Sequence, residues 1–193
     1  MALIVFLNGT SSSGKSTLAA ELLRILDGPF FHLAVDAFNA MRAKMEIAPE
    51  DLGDVLRRTR MGFHRAIAGM AAGGNDVVVD HVLSEPWRLA DCLDVLAGHD
   101  VVLVGVHCPL DELERRELAR GDRSPGIAAM QYGQVHAHGV YDIEVDTHAS
   151  SAAECAQQIK AYLQSGSAPT AFDRLRQAQA GMRSEAAAVV SNS

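Results

Sequence analysis

The chain has 193 residues, enough for one domain with a well-buried core and too few for two ordinary ones. Hydrophobic residues make up 48% and charged residues 21%, which excludes a disordered or low-complexity chain. Acidic residues outnumber basic ones by 24 to 17, a net charge of -7 with no basic stripe, and this argues against a nucleic-acid partner.

The three cysteines, Cys92, Cys108 and Cys155, are far apart and odd in number. They make neither a metal-type pair nor a disulfide framework, so the expected setting is a reducing cytoplasm. The apolar start runs straight into a glycine turn, without a charged leader or an apolar run of membrane-spanning length. No membrane partner is expected, and the sequence leaves homo-oligomerisation open.

In chain order, Ala2 to Leu7 (ALIVFL) reads as a strand buried on both faces. Leu18, Leu22, Ile25 and Leu26 then fall at helical spacing until Gly28-Pro29. Phe30 to Val35 (FFHLAV) reads as a second strand ending at Asp36. A long helix follows, with Leu52, Val55, Leu56, Thr59, Phe63, Ala66, Ile67 and Met70 on its core face and Gly73-Gly74 closing it. His64 and Arg65 fall off that face, which predicts surface positions. Val77 to Val79, followed by Asp80, form a third strand, and Pro86 opens a helix carrying Trp87, Leu89, Leu93 and Leu96. Asp100 to His107 (DVVLVGVH) is the fourth strand, and Pro109 opens a helix ending near Gly121. Tyr141 to Val145 is a fifth strand, before a helix from about Ser151 to Leu163.

This alternation predicts an α/β fold: a five-stranded parallel sheet with helices on both faces, in three layers. The domain is expected over 1–164. The remainder, 165–193, reads as a linker and an alanine-rich tail, either helical or disordered.

Between the first strand and the first helix, Gly9-Thr10-Ser11-Ser12-Ser13-Gly14-Lys15-Ser16 fits G-x-x-x-x-G-K-[ST] completely. Glycines at both ends let successive N–H groups converge on a phosphate chain, and the helix adds its positive end. Lys15 adds a full charge near the outer phosphates, and the Ser16 hydroxyl is placed for magnesium. The expected nucleotide contacts are Gly9, Ser11, Ser12, Ser13, Gly14, Lys15, Ser16 and Thr17. The turn implies a nucleoside triphosphate such as ATP, with Mg2+, and is silent on where the phosphate goes.

Ligands of open parallel sheets collect at the carboxyl ends of the strands, where Asp36, Asp80 and His107 lie. Asp80, after VVV, suits an acid that orders magnesium and its waters; a loop or capping acid is the alternative. Asp36 suits a base that takes the proton of an incoming hydroxyl, or else caps the helix beginning VDAFNAM. Arg116, Arg120 and Arg123 would share one helical face around a lid at 116–135, where arginine forks suit a transferring phosphoryl group. The alternative is a solvated helix end. His81, directly after Asp80, is placed to line a pocket.

Several segments together resemble the chloramphenicol phosphotransferase family: VDAF at 35–38, HRAIAGMAAGGNDVVVDHVL at 64–83, VGVHCPLDELERRELARGDRSPGIA at 104–128 and QVHAHGVYDIEVDT at 134–147. The resemblance runs from about Leu3 to Leu163. It implies a small P-loop kinase that moves the terminal phosphate of ATP to a hydroxyl of a small molecule, in the namesake a primary hydroxyl of chloramphenicol. It implies Asp36 as general base, Lys15 as the phosphate-turn lysine and Arg120 and Arg123 as lid arginines. Asp36, Phe38 and His81 are the expected acceptor contacts, and Asp146-Thr147 falls where such kinases approach adenine. Between Met41 and Leu56 the sequence departs from the family pattern, in the region expected to cover the acceptor. Two other readings stand beside this one: a kinase of a metabolite such as a sugar acid or nucleotide-sugar, and a nucleotide-responsive switch or slow ATPase.

Overall fold

A computed structural model describes residues 2–120, 126–166 and 168–191, with backbone alone from 182 onward. Five strands form one wholly parallel sheet in the order β2-β3-β1-β4-β5. They are β1 (Leu3–Asn8), β2 (Phe31–Ala34), β3 (Val77–His81), β4 (Asp100–His107) and β5 (Ile143–Asp146). Every predicted strand is present. β2 is shorter than predicted, because the chain turns helical at Val35 and places Asp36 in the first turn of α2 (Val35–Ala40). β5 begins two residues late, because the Asp142 side chain accepts the Leu103 N–H at 2.7 Å in place of a backbone rung.

Side-chain alternation divides the core into two layers. Ile4, Phe6, Val77, Val79, Val101 and Leu103 face one side. There they meet Phe63 and Ile67 of α3 (Pro49–Ala72) and Leu93 of α4 (Pro86–Val95). Val5, Leu7, Val78, Val102 and Val104 face the other. These pack on Leu18 and Leu22 of α1 (Lys15–Ile25) and on Cys155 and Ile159 of α7 (Ala152–Ser165). A Ser151–Glu154 capping box starts α7. The three layers are thus the predicted ones, read directly from the period-two pattern of the strands.

α5 (Leu110–Arg120) and α6 (Ile127–Val135) project from the carboxyl edge of the sheet between β4 and β5. The last helix, α8 (Ala171–Ser191), has a structural part where the sequence suggests only a tail. Ala171 and Phe172 are fully buried in the α3–α4 layer, and the Phe172 ring lies 6.0 Å from that of Phe6. Arg176 donates to the carbonyls of Leu93 and Leu96, satisfying the end of α4. With only Phe172 and Leu175 apolar at its buried end, the alanine-rich pattern does not announce that face. Among the described residues no helix is long and apolar enough to cross a membrane.

Candidate active site

The turn after β1 is held from three directions. Gly14 sits at φ 85° as N-cap of α1, in the left-handed region that glycine tolerates. A Cβ on Gly9 would lie 2.5 Å from the Val106 carbonyl oxygen, so only glycine lets the turn pass β4 this closely. The Thr147 hydroxyl donates to the Ser13 carbonyl at 2.8 Å, and the Gln131 Oε1 accepts the Ser11 N–H at 2.8 Å. The loop after β5 and helix α6 therefore both brace the turn; Gln131 carries no sequence signal.

Lys15 is only 6% exposed, with Nζ 2.7 Å from the Thr10 carbonyl and 3.8 Å from Asp80 Oδ1. A buried ammonium needs such partners. The Ser16 hydroxyl donates to Asp80 Oδ2 at 2.6 Å, so the two residues expected at magnesium are in contact. Their oxygen-only chemistry fits magnesium, which keeps several waters and takes few protein ligands. No group of three or more His, Cys, Asp or Glu among the described residues could hold a metal unaided.

A cleft of about 690 Å³ opens from this turn along the carboxyl ends of the strands. Ser11, Ser12, Gly14, Lys15, Ser16 and Thr17 line one end. At the other end α2, α3 and α4 supply Asp36, Asn39, Arg60 and Arg88, with His81 and Val82 behind them. Asp36 is exposed, at the second position of α2 rather than at its cap, and looks on the cleft. Phe38 does not line the cleft; its ring packs edge-on to Phe63 at 5.0 Å and supports the wall from within. Residue 38 falls one helical turn from Val35, which is buried, so its side chain follows Val35 inward. Asn39, Arg60 and Arg88 escape the sequence reading, although Arg88 stands in the first turn of a helix at the functional edge of the sheet, which is a usable signal.

His64 is not a surface residue. It is fully buried between α3 and α4, Nδ1 lying 2.6 Å from Asp91 Oδ2 and Nε2 3.0 Å from His81 Nε2. The expected surface position assumed that one stripe of α3 is covered; α4 covers the flank as well. Arg65 is exposed and pairs with the same Asp91. Burial lowers the pKa of both histidines, against the pull of Asp91 on His64. In the neutral pair, His64 donates Nδ1–H to the carboxylate and accepts Nε2–H from His81. This arrangement leaves His81 Nδ1 as a buried atom without a partner among the described residues. His81 thus backs the cleft with a ring that has no exposed surface.

On the lid side, Arg116 is fixed by Glu112 at 2.7 Å and by the Thr147 carbonyl at 2.9 Å, next to Gly14. Arg120, at the end of α5, lines the cleft, while Arg123 lies outside the described residues. Buried Glu117 accepts the N–H groups of Gly126 and Ala128, tying the start of α6 to α5. His107 is turned away from the cleft: it stacks on His136 with centroids 4.1 Å apart and bonds Glu144.

A three-layer parallel fold with this turn, beside a cleft lined mainly by basic side chains together with Asp36 and Asp80, fits a P-loop phosphotransferase. Residues 2–164 match the family described as chloramphenicol phosphotransferase-like protein. The chain is 32% identical, over 196 residues, to a Mycobacterium tuberculosis protein named "Putative O-phosphotransferase"; the match spans 90% of this chain and 87% of that one. The chain belongs to the chloramphenicol phosphotransferase-like family, and it is a phosphotransferase with an alcohol acceptor.

Solved structures extend the likeness in fold alone. The tunicamycin resistance protein of Deinococcus radiodurans aligns with TM-score 0.63 at 17% identity, over 84% of this chain and 96% of that one. The APS kinase of Mycobacterium tuberculosis, solved with AMPPNP and APS, gives 0.62 at 21% over 84% and 98%. The shikimate kinase of Acinetobacter baumannii, solved with shikimate, gives 0.60 at 15% over 86% and 94%.

Proposed function

We propose that the protein transfers the γ-phosphoryl group of magnesium ATP to a hydroxyl of a small molecule bound beside Asp36. The observation that carries this reading is the shared cleft: Lys15 and the phosphate turn line one end, Asp36 and the α2–α4 wing the other. The acceptor oxygen forms its bond to the γ-phosphorus as the bond to the β,γ-bridging oxygen breaks. ADP leaves with that electron pair, and the acceptor proton passes to the Asp36 carboxylate and then to water.

The residues divide the work by position. Lys15 and the N–H groups of the turn hold the phosphates, and Arg120 and Arg123 meet the charge that spreads over the transferring group. Ser16 and Asp80 would hold magnesium, which neutralises phosphate charge when bound. Closure of α5–α6 over the cleft excludes water, so that the acceptor and not water receives the phosphate.

Family membership makes chloramphenicol the first acceptor to try. A hydroxylated metabolite is the second reading, favoured by the two arginines of the acceptor wing. The deciding experiment is the mass of each candidate after incubation with protein and magnesium ATP. Addition of one phosphate to chloramphenicol or to any hydroxylated metabolite supports transfer. Slow ATP consumption that ignores every acceptor, with none modified, would replace this reading with a nucleotide switch.

A further inference from the structure

We propose that the acceptor is an anionic hydroxy compound, whose carboxylate or phosphate group is received by Arg60 and Arg88 while its hydroxyl faces Asp36. This rests on the kinase reading above and narrows it to a substrate class; a neutral antibiotic such as chloramphenicol would bring no charge to these guanidiniums.

Arg88 is 6% exposed, yet it lines the cleft from the first turn of α4. Its Nη1 donates to the Val82 carbonyl at 2.9 Å and its Nη2 to Glu85, which fixes the plane of the guanidinium. Its Nε is buried and has no hydrogen-bond partner among the described residues. Arg60 reaches the same cleft from α3. It makes no salt bridge among the described residues, although the Glu85 and Asp36 carboxylates attract it from a distance. Glu85, the acid best placed to neutralise it, is engaged by Arg88 and by the Trp87 indole N–H at 2.7 Å. Burial, followed by the neighbouring Arg88 charge, lowers the pKa of Arg60. Two guanidiniums that repel each other in a half-closed pocket cost stability unless an anion sits between them.

The remaining orphans point the same way. The buried side-chain polar atoms without a partner among the described residues belong to Ser12 and Ser13 of the phosphate turn and to Asn39, His81 and Arg88. The last three all line the acceptor end. Unsatisfied buried groups gathered in one pocket call for a ligand that supplies both donors and acceptors, as a hydroxy acid does.

The test uses the full chain saturated with magnesium and a non-hydrolysable ATP analogue, so that the phosphate turn is filled. Inorganic sulfate is titrated at constant ionic strength while the arginine Nε–H resonances are followed by NMR. Saturable shifts of Arg60 and Arg88 are expected, with sulfate affinity weakened about tenfold or more in Arg60→Gln. No saturable shift at either arginine overturns the proposal.

In parallel, paired acceptors are compared as substrates: hydroxy acids against their amides, and sugar phosphates against the free sugars. The anionic member of a pair should be phosphorylated with kcat/KM about tenfold or more above its neutral partner, a preference lost in Arg60→Gln. Equal or better use of the neutral members sinks the anionic acceptor while leaving the kinase intact. Failure to phosphorylate any acceptor counts against the kinase reading, and the sulfate titration then decides the anion site independently.

Discussion

At Asp36 chemistry and folding can be pulled apart by one nearly isosteric change. Its side chain is exposed at the second position of α2 rather than at the N-cap, so Asp36→Asn should leave melting and nucleotide affinity close to the parent. Phosphoryl transfer should fall by about two to four orders of magnitude, measured as single-turnover rate with a competent acceptor. Near-normal transfer would remove Asp36 from the mechanism. Lys15 behaves differently because it is buried against Asp80 and the Thr10 carbonyl. Lys15→Ala should weaken binding of the magnesium ATP analogue about tenfold or more in calorimetry and lower turnover as well. Unchanged affinity would contradict a phosphate-holding role. At this scale the sequence was most informative where residue type and local turn suffice, as at Gly14 and Lys15. It misled at His64, whose partners Asp91 and His81 are contributed by other elements, and at Phe38, whose role depends on Phe63.

Elements divide in the same way. The strands declared themselves because both faces are buried, giving continuous apolar runs such as ALIVFL and DVVLVGVH. α8 did not, since the face it buries in its first turns carries few large apolar residues in an alanine-rich run. Phe172 should nevertheless matter: Phe172→Ala opens a cavity beside Phe6 and should cost about 3–5 kcal/mol in urea unfolding. A loss below 1 kcal/mol (roughly the cost of a surface change) would mean that α8 merely rests on the domain. The phosphate turn shows a similar dependence on distant parts, for Gln131 of α6 and Thr147 of the loop after β5 reach it from segments more than a hundred residues away.

For the molecule as a whole, the histidines set the response to acid. His64, His81, His136 and His138 all have pKa values lowered mainly by burial, that of His136 to about 4 from an ordinary 6.5. The folded state therefore binds fewer protons than the unfolded chain, and stability rises with pH through this window. It is fully present above 6.5 and is lost as pH falls toward 4. The raised pKa of buried Asp142 works in the opposite sense, while the lowered pKa values of Glu85, Asp91, Glu112 and Glu154 extend the loss of stability to lower pH. The melting temperature should thus fall steadily from pH 6.5 toward 4, and less steeply in His136→Gln. A flat profile for the parent would show that the buried imidazoles are not neutral.

The sequence alone determined the layer architecture, the strand count and the phosphate turn, because each follows from local periodicity or from backbone freedom at a glycine. The proposed acceptor pocket was decided only by tertiary structure. Its arginines come from α3 and α4, more than twenty residues apart along the chain, and their shared opening exists because the sheet order sets those helices side by side. Charge repulsion and unsatisfied polar groups are properties of that juxtaposition, and no local pattern in the chain encodes them.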